Sequence, residues 1–150
     1  MLHRDWVVRV AVALAVAAVI ACAGEGRHNA GAGKGLNWSS DLKAALTTAR
    51  SNGKLVMVDF YTDWCGWCRK LDETTFADAK VVEALDGLVA VKLDAERGGR
   101  EAARRYGVDG YPTVLFLDAA GTEVGRIPGY LPPGPFLEEL GDVLEKAGGS

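Results

Sequence analysis

The sequence predicts an α/β domain whose central mixed sheet is flanked by helices on both faces. Two apolar runs rich in β-branched residues, Leu55-Val-Met-Val-Asp-Phe-Tyr61 and Leu88-Val-Ala-Val-Lys-Leu93, alternate with stretches of helical periodicity. Two later runs, Thr113–Leu117 and Thr122–Ile127, are separated only by Asp118-Ala-Ala-Gly121, a connection of hairpin length. A last amphipathic stripe closes the chain, giving the order strand, helix, strand, helix, hairpin, helix. With 150 residues, 49% hydrophobic and 25% charged, the composition is that of one globular domain. The formal charge of −3 gives no electrostatic reason to expect a nucleic-acid partner.

The elements follow in chain order. Arg4 and Arg9 precede an apolar run from Val10 to Ala21 that is too short to cross a bilayer and has the size of a signal-peptide core. Its end, Val19-Ile20-Ala21-Cys22, resembles the lipobox of bacterial lipoproteins, which implies lipid attachment at Cys22. Ordinary cleavage after Ala23 and an uncleaved anchor are the alternatives. Residues 1–21 are thus expected to be a signal peptide, 22–35 a Gly- and Ala-rich flexible tether, and 36–150 the folded domain. Lipidation would also account for the odd member among the three cysteines.

Ser39 and Ser40 are candidate N-caps of a helix over 40–52, with Leu42, Ala45, Leu46 and Ala49 on its buried stripe and Gly53 at its stop. The run 55–61 suits a strand buried on both faces. A polar helical segment is expected from Cys65 to about Asp72, and Asp78 is placed to cap a short helix carrying Val81, Val82 and Leu85. Glu101 to Tyr106 predicts a helix ended by Gly107. Phe136, Leu137, Leu140, Val143 and Leu144 predict the terminal one.

The chemistry is concentrated in Trp64-Cys65-Gly66-Trp67-Cys68, a Cys-x-x-Cys pair just after a buried strand. The N-terminus of the helix it opens favours a thiolate on Cys65, and Cys68, one turn later and expected to be the more buried, can resolve a mixed disulfide. Lowering a thiol pKa from about 8.5 to about 7 raises the thiolate fraction at pH 7 from about 3% to about 50%, while nucleophilicity falls about fivefold. The net gain is about threefold, so positioning and leaving-group quality must carry more of the rate. Asp59, inside an apolar run, is expected to be buried with a raised pKa suited to proton transfer; an edge-strand carboxylate facing water is the alternative. Trp64 and Trp67 pack the rim of the site or contact substrate. A zinc site would need two further ligands, yet His3 and His28 both precede the domain. A purely structural disulfide gains little chain entropy from so short a loop.

Val58 to Cys68 resembles the active-site segment of thioredoxins, and Tyr106-Gly-Val-Asp-Gly-Tyr-Pro-Thr113 resembles their later cis-proline segment. The resemblance covers residues 38 to 147. It implies a thioredoxin fold, a cis Pro112 facing the dithiol, Asp59 as the carboxylate that handles the Cys68 proton, and Lys92 as its partner. Gly66, Tyr111, Pro112 and Gly129 complete the implied substrate surface. Arg69 to Leu85 is similar to exported members such as the C-terminal periplasmic domain of the membrane reductase DsbD. The implied activity is reduction of client disulfides outside the cytoplasm by a protein-disulfide reductase acting as a monomer. It needs no metal, nucleotide or organic cofactor and draws electrons from an upstream thiol protein, such as a membrane reductase. A disulfide donor or isomerase, or a non-enzymatic binding module, are the competing expectations.

Overall fold

The computed structural model describes residues 35–149. The expected signal peptide, Cys22 and the tether as far as Lys34 lie outside the described residues. Four strands, β1 (Val56–Tyr61), β2 (Val89–Asp94), β3 (Thr113–Leu117) and β4 (Glu123–Pro128), form one sheet in the order β2-β1-β3-β4. β1 runs parallel to β2 and antiparallel to β3, and β3 pairs antiparallel with β4. The parallel pair requires a crossover, which the segment 66–85 supplies; the β3–β4 pair needs only the Asp118 turn, closed by Gly121 N–H to Asp118 O.

α1 (Leu42–Asn52) is capped by Asp41, whose side chain accepts from Ala44 N–H at 2.9 Å. Neither Ser39 nor Ser40 is the cap. A carboxylate also complements the positive end of the helix, whereas Ser39 Oγ instead accepts from Asp41 N–H at 3.1 Å. Gly53 ends α1 at φ 64, a conformation that favours glycine. Ser39 also forms a parallel bridge to Val91, so the chain enters the domain along the free edge of β2.

α2 (Gly66–Lys70) continues as a π-helical turn, Leu71–Thr75, rather than ending near Asp72. The turn buries Thr75, whose hydroxyl donates to Leu131 O at 2.6 Å, together with Leu71 and Phe76. α3 (Ala79–Leu85) is capped by Asp78 as expected, through Lys80 and Val81 N–H. α4 (Arg100–Arg105) and α5 (Pro133–Gly148) complete the layers.

Strand alternation divides the core. Val56, Val58 and Phe60 pack with Ala45, Ala49 and Ala103 beneath α1 and α4. Met57 packs on the other face with Leu71, Val81, Phe136 and Leu140. Asp59 has the parity of Met57 and therefore faces the layer that contains the π-helical turn.

Gly99, which precedes α4, has no space for a side chain: a Cβ would stand 2.7 Å from Leu93 Cβ and 2.8 Å from the Asp94 carbonyl oxygen. Gly99→Ala is expected to cost about 1–3 kcal/mol through overpacking against backbone. A lower urea midpoint at unchanged denaturant slope would register it.

Candidate active site

β1 delivers the chain to a tight turn in which Cys65 N–H donates to Thr62 O at 3.1 Å. Cys65 then takes the N-cap position of α2, and its Sγ accepts from Cys68 N–H at 3.1 Å. The two cysteines form a disulfide. The expected difference in their burial is absent: Cys65 is 4% and Cys68 3% exposed. Bonding to Cys68 folds the Cys65 sulfur onto the first helical turn, where it also serves as the cap.

The rim is aromatic. Trp64 and Trp67 are 66% and 58% exposed, unusual for the two largest apolar side chains flanking a buried sulfur pair. Trp64 meets Tyr111 edge-on at 6.2 Å, and Trp67 stacks on Tyr130 at 5.4 Å. Lys70 Nζ lies 5.1 Å from the Trp67 ring and 5.0 Å from the Tyr130 ring. Arg69 donates to Asp63 O, and Arg97 holds the Asp63 carboxylate, which fixes the turn before Trp64.

The Tyr111–Pro112 peptide is cis. Pro112 is buried, and its carbonyl accepts from Gly129 N–H at 2.8 Å, tying the start of β3 to the residue after β4. Gly129 sits at φ 77 with open space where a side chain would lie. Its constraint is therefore backbone conformation rather than room beside the groove.

The β1–β2 register sets Asp59 beside Lys92. Lys92 Nζ lies 2.6 Å from Asp59 Oδ2 and 2.5 Å from Asp72 Oδ1. The same ammonium faces the rings of Tyr61, Trp38 and Phe76 at 5.0, 5.2 and 5.9 Å. Lys92 is thus half-buried and fully engaged, not a solvated charge at a strand end. Trp38 shields this pair and meets Phe76 edge-on at 5.1 Å.

Asp59 is 1% exposed, and its Oδ1 has no hydrogen-bond partner among the described residues. Burial pushes its pKa up to about 6, against the opposing pull of Lys92. Burial pushes Lys92 the other way, yet Asp59 and then Asp72 outweigh it and hold the ammonium above its ordinary value. Asp59 therefore carries a free lone pair at a pKa suited to exchanging protons near neutrality.

Of the residues read from the sequence, Cys65 and Cys68 are joined around Gly66, Asp59 pairs with Lys92, Trp64 meets Tyr111, Trp67 stacks on Tyr130, and Pro112 is tied to Gly129. Asp72 and Tyr130 were not anticipated. Asp72 follows Cys68 by one helical turn, a spacing that could have marked it. Tyr130 meets Trp67 only through tertiary packing and leaves no local signal.

Over residues 42–144 the chain matches the family described as a thioredoxin-like domain. It is 40% identical over 111 residues to the thiol:disulfide interchange protein DsbD of Cronobacter sakazakii, covering 69% of this chain and 19% of that protein. To DsbD of Vibrio cholerae it is 37% identical over 106 residues, covering 67% and 18%. The chain thus spans about a fifth of the length of these curated relatives. Among solved structures, a thioredoxin from Thermus thermophilus superposes with TM-score 0.68 at 35% identity, covering 77% of this chain and 92% of that one. The oxidised C-terminal domain of Neisseria meningitidis DsbD gives TM-score 0.59 at 26% identity, covering 68% and 95%.

Proposed function

Because the chain belongs to the thioredoxin-like family, we propose that it is an extracytoplasmic thiol-disulfide oxidoreductase that reduces disulfides in client proteins. The observation that carries this is Cys65 Sγ in the N-cap position, accepting the Cys68 N–H. After reduction the same hydrogen bond and helix end stabilise a thiolate on Cys65.

The Cys65 thiolate attacks one sulfur of the client disulfide, forming a mixed disulfide and expelling one client thiolate. Cys68 gives its proton to Asp59 and attacks Cys65 Sγ. The Cys65–Cys68 disulfide re-forms and the second client thiolate leaves, so two electrons pass from the protein to the client. Lys92 balances the ionised Asp59, and the more exposed Asp72 gives the proton a route toward solvent. Pro112 and Tyr111 form the wall against which the client strand lies. An upstream dithiol protein, such as a membrane reductase, restores the reduced state.

The placement outside the cytoplasm rests on the leader-like N-terminus and on the similarity to DsbD. Lipid attachment at Cys22 would hold the domain at a membrane through a tether of about 14 residues, with a reach of roughly 20 Å. Among the described residues, no helix is long and apolar enough to cross a membrane.

The deciding measurement is the reduction potential of the Cys65–Cys68 pair, by thiol trapping across thiol-disulfide buffers. A value near the thioredoxin end, about −270 mV, is expected. A value near −120 mV would instead assign a disulfide donor or isomerase. Failure to cycle between dithiol and disulfide would leave only a binding module.

A further inference from the structure

We propose that Lys70, held over the faces of Trp67 and Tyr130, selects client segments that carry carboxylates beside their disulfide. The inference rests on the client-reducing role proposed above and deepens it by naming a substrate class.

The shelf made by these three residues joins the two parts that frame the sulfurs. Trp67 lies between the cysteines, and Tyr130 follows Gly129, whose N–H is bonded to the Pro112 carbonyl. Thr74 Oγ1, 3.2 Å from the Tyr130 hydroxyl, fixes the shelf to the π-helical turn. A client cysteine that reaches Cys65 must bring its neighbouring residues across this surface.

Two consecutive cations, Arg69 and Lys70, make no ion pair among the described residues. Lys70 has acidic residues two and three positions onward, yet makes no ion pair with either; Asp72 is held by Lys92. Among the described residues its ammonium makes no ion pair and lies over the two rings. Arg69, its neighbour, is bonded to a backbone carbonyl and has no carboxylate partner among the described residues, while the Asp63 carboxylate is held by Arg97. An incoming acidic side chain therefore finds a positioned cation that pairs with no anion among the described residues. A basic one finds repulsion. Ring faces hold the ammonium in place without neutralising it, so the full charge remains available to the client.

The test uses three disulfide-bridged peptides that differ only at the two residues flanking the cysteine, which are Glu, Gln or Lys. For the unmodified protein the kcat/KM for the Glu peptide is expected to exceed that for the Gln peptide about two- to fivefold, the upper part of the range for an exposed ion pair, and to lose that advantage in high salt. In Lys70→Gln the ratio falls to about one, and in Lys70→Glu the order of the Glu and Lys peptides reverses. Arg69→Gln removes the same charge one position away and is expected to keep most of the preference. Equal rates for all three peptides with the unmodified protein would overturn the proposal, as would a preference that survives Lys70→Gln or is lost equally in Arg69→Gln. Inability to reduce any of the three would instead overturn the oxidoreductase role itself.

Discussion

Cys65→Ser protein is expected to reduce client disulfides at least about 10³-fold more slowly than the unmodified protein, whereas Cys68→Ser stops after one attack and accumulates a mixed disulfide. The asymmetry follows from the roles of the two sulfurs. A serine at position 65 keeps the N-cap hydrogen bond but offers a neutral hydroxyl where a thiolate must attack. A serine at position 68 leaves the first attack intact. The client then stays bound through Cys65 until an external thiol releases it. Intact-mass measurement after mixing with a disulfide peptide should show one peptide half attached to Cys68→Ser and none to Cys65→Ser. The double variant should be no slower than Cys65→Ser alone, because the two residues act in sequence on one bond. Multiple turnovers by Cys68→Ser at the original rate would overturn the assignment of the resolving thiol.

The division between what the residues disclose and what they conceal follows the range of the interactions. Val56 to Phe60 announce a doubly buried strand by themselves, and Asp59, Cys65 and Cys68 lie within ten consecutive residues of it, so the chemical centre is nearly legible locally. Lys92 and Pro112 come from distant segments. Nothing in their immediate sequence distinguishes them from a surface lysine and a turn proline, and only the family resemblance marks them. The cap of α1 was misplaced because three capping residues stand in a row, Ser39, Ser40 and Asp41, and the choice among them depends on where Ser39 bridges to β2. The π-helical turn was invisible because burying Thr75 requires the Leu131 carbonyl, 56 residues away, to satisfy its hydroxyl. Tyr130 escaped for the same reason. Its partner Trp67 comes from a distant segment of the chain.

Asp59→Asn is expected to separate the stability cost of the buried acid from its catalytic use. In the oxidised protein the folded-state pKa is about 6, above the ordinary 3.8. Between about pH 4 and pH 6 the folded protein binds a proton that the unfolded chain does not, so stability falls as pH rises through that window. A shift of about two pKa units corresponds to a loss of about 3 kcal/mol, complete above about pH 7. Asp59→Asn has no such proton to lose, and Lys92 keeps Asp72 as its counterion. Its urea midpoint should therefore vary less between pH 4 and 8, and at pH 8 it should exceed that of the unmodified protein. Turnover should move the opposite way. Without a carboxylate to take the Cys68 proton, resolution of the mixed disulfide should slow about 10²-fold at pH 7, the lower end of a general-base contribution, and recover as the pH rises. Stopped-flow tryptophan fluorescence across pH 6 to 9 would follow it, since Trp64 and Trp67 flank the reacting sulfurs. A variant with unchanged stability profile and unchanged rate would show that Asp59 neither titrates in this window nor handles the proton. Gain in stability with loss of rate is the signature of a buried charge retained for its chemistry.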